Sequence, residues 1–155
     1  VKWLAAAVGS RGMAGGQAID LESVGKHLTV PELEFMHIHK TGALIRASAL
    51  LGARCGSDLA ERELGQLDLF AKLIGLAFQV VDDVLDAEGS TATLGKTAGK
   101  DAKDNKPTYV SAIGAQRARE LAQELRHNAL DALAGFGERA QRLRQLADFI
   151  VLRKF

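Results

Sequence analysis

With 155 residues, 47% of them hydrophobic and 25% charged, the chain has the make-up of one folded domain around one core. A net charge of +1 supplies no bulk electrostatic pull toward nucleic acid or an anionic membrane. The single cysteine, Cys55, excludes an internal disulfide and fits a reducing compartment; it reads as a small packed residue rather than a nucleophile. No apolar run is expected to reach membrane-spanning length, and the glycine-interrupted start is unlike a signal peptide.

Only Pro31 and Pro107 break the chain, and between them no alternating pattern survives, so an all-α fold is expected. The chain opens at Val1 as if already inside a helix, which reads as a fragment or a processed chain. That helix is expected to reach about Gly25, weakened by Gly12, Gly15 and Gly16, each of which costs roughly 1 kcal/mol against Ala. Thr29, Pro31 and Glu32 mark the next N-terminus as a capping box, and this helix is expected to run to about Ala53. Ser57 or Asp58 would cap a third.

The third helix carries the strongest signal. FAKLIGLAFQVV, from Phe70 to Val81, is apolar almost all round, the mark of a buried central helix. It ends in Asp82, Asp83 and Asp86. Asp82 and Asp86 stack one turn apart on one face, and Gln79 and Asp83 pair beside them. Carboxylates that close repel one another, and burial makes the repulsion worse. A solvated acidic helix end is the plain alternative. Otherwise a cation must compensate, either Lys or Arg from elsewhere or a divalent metal; Mg²⁺ takes one or two carboxylates and fills its octahedron with water and phosphate.

Residues 87–107 read as a long loop, which inside a compact domain is usually functional or disordered. It supplies Lys96, Lys100 and Lys106. Its GKT lacks the first glycine of a P-loop, and a helix precedes it where a strand is needed. A short helix from Thr108 to Ile113 follows. Next comes an amphipathic helix from Ala115 to Leu133. The last, Glu138 to Leu152, has Leu143, Leu146, Ala147, Ile150 and Val151 on its inward stripe.

Polar residues beside small ones on inward faces complete the pattern: Lys40 and Thr41 before Gly42 and Ala43, and Gln17 and Asp20 after Gly15 and Gly16. His37 and His39 lie on different faces, so they do not form a metal pair; they read as surface or core-edge histidines.

GGQAIDL (15–21), HKTGALIRA (39–47), GLAFQVVDDVLD (75–86) and LGKTAGKDAKDNKPTYV (94–110), in this order, resemble the second half of a trans-prenyl diphosphate synthase of the farnesyl or geranylgeranyl type. The resemblance implies an all-α isoprenoid-synthase helical bundle of which residues 1–155 are the C-terminal portion. The N-terminal half, with a first Asp-rich motif, would be absent. It implies that Lys40, Thr41, Gln79 and Lys96, with Lys106, contact an allylic diphosphate such as dimethylallyl or geranyl diphosphate. Asp82, with Asp83 or Asp86, would hold Mg²⁺, with Mn²⁺ as a substitute, and Asp20 would face the same cavity as a further metal-site carboxylate. The implied reaction is head-to-tail condensation with isopentenyl diphosphate by a cytoplasmic homodimer, without stable membrane insertion. The 155 residues alone are expected to be inactive. Two competing readings are a non-catalytic partner subunit and a terpene cyclase of the same fold; HKTGALI and the lysine loop argue against the cyclase.

Overall fold

The computed structural model describes residues 1–56, 58–92 and 106–153; side chains are described at all of these except 90–92. Among them there is no strand. In chain order the helices are α1 (Lys2–Val8), α2 (Met13–Glu22), α3 (Val30–His37), α4 (Ala43–Gly56), α5 (Glu61–Ala92), α6 (Tyr109–Ile113), α7 (Ala115–Ala132) and α8 (Gln141–Leu152). A π-helical turn, Ile38–Gly42, joins α3 to α4. A 3₁₀ segment, Ala134–Ala140, precedes α8.

Helix α5 is the axis of the bundle. Leu67, Phe70, Ile74, Ala77, Val80 and Val81 are all buried in the core. Helix α7 meets it with Ala118, Ala122, Leu125, Ala129 and Ala132, also buried. The four alanines let the two backbones approach closely, so that the large side chains of α5 fill the interface. The other inward residues of α7 are those the 3.6-residue period requires.

Several boundaries differ from the sequence expectation. The first helix is two: α1 ends at Val8, and the chain turns through Gly9 to Gly12 before α2 begins. Gly25 lies beyond α2, in the following turn, at φ +77. The capping box of Thr29 and Glu32 is present, with the Thr29 N–H donating to Glu32 Oε2 at 2.7 Å. Helix α4 continues three residues past Ala53. Helix α5 starts at Glu61, where the Ala60 N–H donates to the Glu63 carboxylate; Asp58 precedes it in coil, and Ser57 lies outside the described residues. At its far end α5 runs to Ala92, well into the expected loop. Leu146 of α8 is exposed, while Ala147, Ile150 and Val151 are buried; at 100° per residue Leu146 lies at one edge of the expected stripe. Cys55 is exposed, not packed.

One further expectation is corrected. By length and mean hydropathy (1.4), Glu61–Gly89 is long and apolar enough to cross a membrane. Here it is a core helix, packed against α4, α7 and α8.

Candidate active site

The mid-helix segment IHKTG contains β-branched Ile38 and Thr41, a histidine and a glycine, all weak helix formers. It forms the π turn, which adds one residue to the helical repeat and re-aims the side chains it carries. Lys40 and Thr41 sit in this turn. Lys40 Nζ donates to Asp20 Oδ2 of α2 at 2.7 Å. Thr41 Oγ1 donates to Gln79 Oε1 of α5 at 2.5 Å. Three separate stretches, 15–21, 39–47 and 75–86, therefore meet at one point.

Close approach of α2 makes this contact. A Cβ on Gly16 would lie 2.1 Å from the Lys40 backbone nitrogen, so only glycine lets the two backbones come that near. Asp20 then reaches Lys40 from a buried position, 5% exposed. Lys40 keeps two of its three N–H donors for another acceptor. The Gln79 amide group likewise keeps its N–H pair, since its oxygen takes the Thr41 hydroxyl.

The aspartates of α5 divide. Asp83 is 6% exposed and accepts the Tyr109 N–H at 2.7 Å. It thereby ties the start of α6, where the chain returns after residues 93–105, to the end of the central helix. Asp82 and Asp86 are half-buried one turn apart. Asp82 accepts a hydrogen bond from Arg153 Nη2, and the Arg153 guanidinium lies 4.5 Å from the centroid of the Phe78 ring, a cation–π contact.

The structure thus brings together Asp20 with Lys40 and Thr41 with Gln79, and it keeps Asp82 and Asp86 on one side of α5. Asp20 and Asp83 each engage one carboxylate oxygen within the fold, Asp20 with Lys40 and Asp83 with the Tyr109 amide. Gln17, expected inward, is exposed. Lys106 is half-buried; Lys96 and Lys100 lie outside the described residues. Sequence reading gives Arg153 no role. A cation just past an apolar stripe was its one signal, and nothing local connects it to a carboxylate 71 positions earlier.

The donor set bears on a metal ion. Among the described residues no group of three or more His, Cys, Asp or Glu is placed to hold one. Asp82 and Asp86 leave a two-carboxylate face, which fits Mg²⁺ completed by phosphate and water and would not satisfy a Ca²⁺ cage.

Behind the site, His37 is 5% exposed and stacks on Tyr109 with ring centroids 5.7 Å apart. Neither of its ring nitrogens has a partner. Burial, aided by the nearby Lys40 charge and opposed by Asp20, pushes its pKa down from 6.5 to about 4. The neutral ring is therefore favoured in the fold. Its contribution to stability is complete above pH 6.5 and is lost as the pH falls through the folded value. Between pH 6.5 and 4 the chain is expected to lose roughly 3 kcal/mol more than a His37→Phe variant, which keeps the stacking and cannot titrate. Urea unfolding across that range measures it; parallel profiles would refute it.

The model of the family described as Polyprenyl synthetase matches residues 4–145. The chain belongs to the polyprenyl synthetase family. It is 48% identical over 153 residues to the farnesyl diphosphate synthase of Escherichia coli (strain K12), covering 97% of this chain and 51% of that protein. The polyprenyl synthetase fold also superposes on a geranyltransferase from Helicobacter pylori complexed with magnesium and isoprenyl diphosphate, with TM-score 0.75 and 34% identity over 97% of this chain and 49% of that one. A decaprenyl diphosphate synthase from Rhodobacter capsulatus matches at TM-score 0.82 and 26% identity, over 99% and 59%. The chain spans about half the length of the curated relatives it matches. Its all-helical architecture is that of these isoprenyl diphosphate synthases.

Proposed function

We propose that these residues form the diphosphate-ionising side of a prenyltransferase that joins isopentenyl diphosphate head-to-tail to an allylic diphosphate, giving farnesyl or geranylgeranyl diphosphate. The observation that carries this reading is the π turn, which sets Lys40 and Thr41 beside Asp20 and Gln79 on the side of α5 that ends in Asp82 and Asp86.

Diphosphate leaves only when its charge is neutralised. The spare N–H groups of Lys40 and Gln79 donate to diphosphate oxygens, each bond strengthening as charge builds on the leaving group. Lys106, and by resemblance Lys96, add positive charge. Asp82 and Asp86 would hold Mg²⁺, or Mn²⁺ in its place; when bound, the metal supplies Lewis-acid neutralisation of the same oxygens. Asp20 fixes the Lys40 ammonium, and Asp83 fixes the chain at Tyr109. The apolar body of α5 keeps water away from the allylic cation left behind. Loss of a proton after addition completes the condensation, and no protein nucleophile is needed.

The whole enzyme works on this reading as a cytoplasmic homodimer, and the 155 residues alone do not turn over. Relatives of one fold carry the names farnesyl, geranylgeranyl and decaprenyl synthase, so product length is set by side chains rather than by the fold. Calorimetry of the chain with an allylic bisphosphonate should show binding that requires Mg²⁺. The double variant Asp82→Asn/Asp86→Asn should weaken that binding at least tenfold. Binding indifferent to Mg²⁺, or none, would favour a non-catalytic partner subunit. Turnover by the chain alone would contradict its expected inactivity.

A further inference from the structure

The acidic end of α5 needs a cation, and the fold supplies one from the far end of the chain. Arg153 donates from Nη2 to Asp82 Oδ1. Its side chain is 16% exposed, against 41% for Asp82, and its Nε is buried without a hydrogen-bond partner. Taking a guanidinium that far out of water is costly unless partners offset the loss. Asp82 and the Phe78 ring, 4.5 Å away, are those partners.

The backbone of Arg153 is held as well. Ala147, Ile150 and Val151 seat the last turns of α8 in the core. The Arg153 N–H closes that helix by donating to the Phe149 carbonyl at 3.1 Å. The guanidinium therefore reaches Asp82 from a packed element. On α5, Phe78 precedes Asp82 by one turn and Asp86 follows it by one turn, about 6 Å each way along the axis. The Phe78 side chain leans toward the N-terminus of α5, as helical side chains do. Arg153, lying over that ring, approaches Asp82 from the side away from Asp86. It does not stand between the two carboxylates.

We propose that Arg153 is a built-in counter-ion of the Asp82–Asp86 face, which keeps the affinity for a divalent metal low until a diphosphate arrives. The inference rests on the prenyltransferase reading above, in which that face holds Mg²⁺. Two carboxylates and one guanidinium leave a single net negative charge for a lone ion to meet. With a metal–oxygen distance of about 2.1 Å and a charged hydrogen bond of about 2.8 Å, an ion on Asp82 would lie roughly 6 Å from the guanidinium charge. Repulsion of a divalent ion by a unit charge at that distance is worth about tenfold in affinity even at the dielectric constant of water, and more in partly buried surroundings. A diphosphate adds negative charge of its own, so the ion is then favoured with Arg153 still in place. Arg153 touches no reacting atom; it makes metal and diphosphate bind together rather than one by one.

The test is Mn²⁺ binding to the full chain without any diphosphate or bisphosphonate, read from the electron paramagnetic resonance signal of the unbound ion. Arg153→Gln should tighten Mn²⁺ binding at least tenfold. Arg153→Lys, which keeps the charge, should stay within threefold of the parent. Arg142→Gln, at the exposed start of α8, should leave the affinity within twofold, which separates a local effect from one of net charge. Should Arg153→Gln not fold, Arg153→Met, which refills the space over Phe78, carries the same expectation. Unchanged or weaker Mn²⁺ binding without the guanidinium would overturn the proposal, and so would equal tightening by Arg153→Lys or Arg142→Gln. Mn²⁺ binding by Asp82→Asn/Asp86→Asn equal to that of the parent would instead remove the metal face from the prenyltransferase reading, and the counter-ion with it.

Discussion

Gly16→Ala is expected to lower the stability of the chain by roughly 3 kcal/mol, at the upper end of what a single added methyl costs a packed site. The new Cβ would stand 2.1 Å from the Lys40 nitrogen and 2.5 Å from Lys40 Cα. Both are backbone atoms of the π turn, so no side chain can swing aside. Carbon and its neighbours need about 3.5 Å, and α2 must therefore move away from the π turn by more than 1 Å. That movement also draws Asp20 off Lys40, so Mg²⁺-dependent ligand binding should fall with the stability. Gly65→Ala is the control: nothing lies within 4 Å of a Cβ there, and in the interior of α5 the change should stabilise by roughly 0.5–1 kcal/mol. Urea unfolding of both variants decides the matter; a Gly16→Ala midpoint equal to that of the parent chain would show that the close approach is not needed.

Lys40→Met should act on stability and on chemistry by separable routes. Asp20 is 5% exposed, and its carboxylate would face a thioether instead of an ammonium. An uncompensated buried charge costs several kcal/mol; because the Lys40 side chain is 29% exposed, roughly 3 kcal/mol is expected, the low end of that range. Turnover by the full-length enzyme should fall about a hundred- to a thousandfold, as for loss of one donor to developing negative charge. Adding Asp20→Asn removes the stranded charge. The double variant Asp20→Asn/Lys40→Met should regain most of the stability and none of the turnover. Recovery of both together would mean that Lys40 serves only to neutralise Asp20, and the diphosphate role would be lost.

The Lys40–Asp20 contact also shows where sequence reading stops. Small residues beside polar ones marked both segments as unusual, and resemblance placed them around one ligand. Periodicity could not say that the two polar groups bind each other. A π turn shifts the register by one residue, and a 3.6-residue period drawn through Lys40 passes over it. Asp83 was equally out of reach, since the atom it satisfies is a backbone N–H 26 positions later. A local charge count sees three equal aspartates where the fold makes one a tether and holds another to Arg153.

The sequence by itself determined the helical class, the capping box at Thr29, the central place of α5 and its acidic end, and the order of motifs that marks the family. These depend on spacing within one helix, where geometry is repetitive and neighbours are known. Tertiary structure alone decided the break between α1 and α2, the length of α5, the pairing of Asp20 with Lys40, the seat of Asp83 under Tyr109 and the meeting of Arg153 with Asp82. Each of these depends on which backbones approach closely enough for a side chain to reach across, and that distance is a property of packing, not of any one stretch of chain.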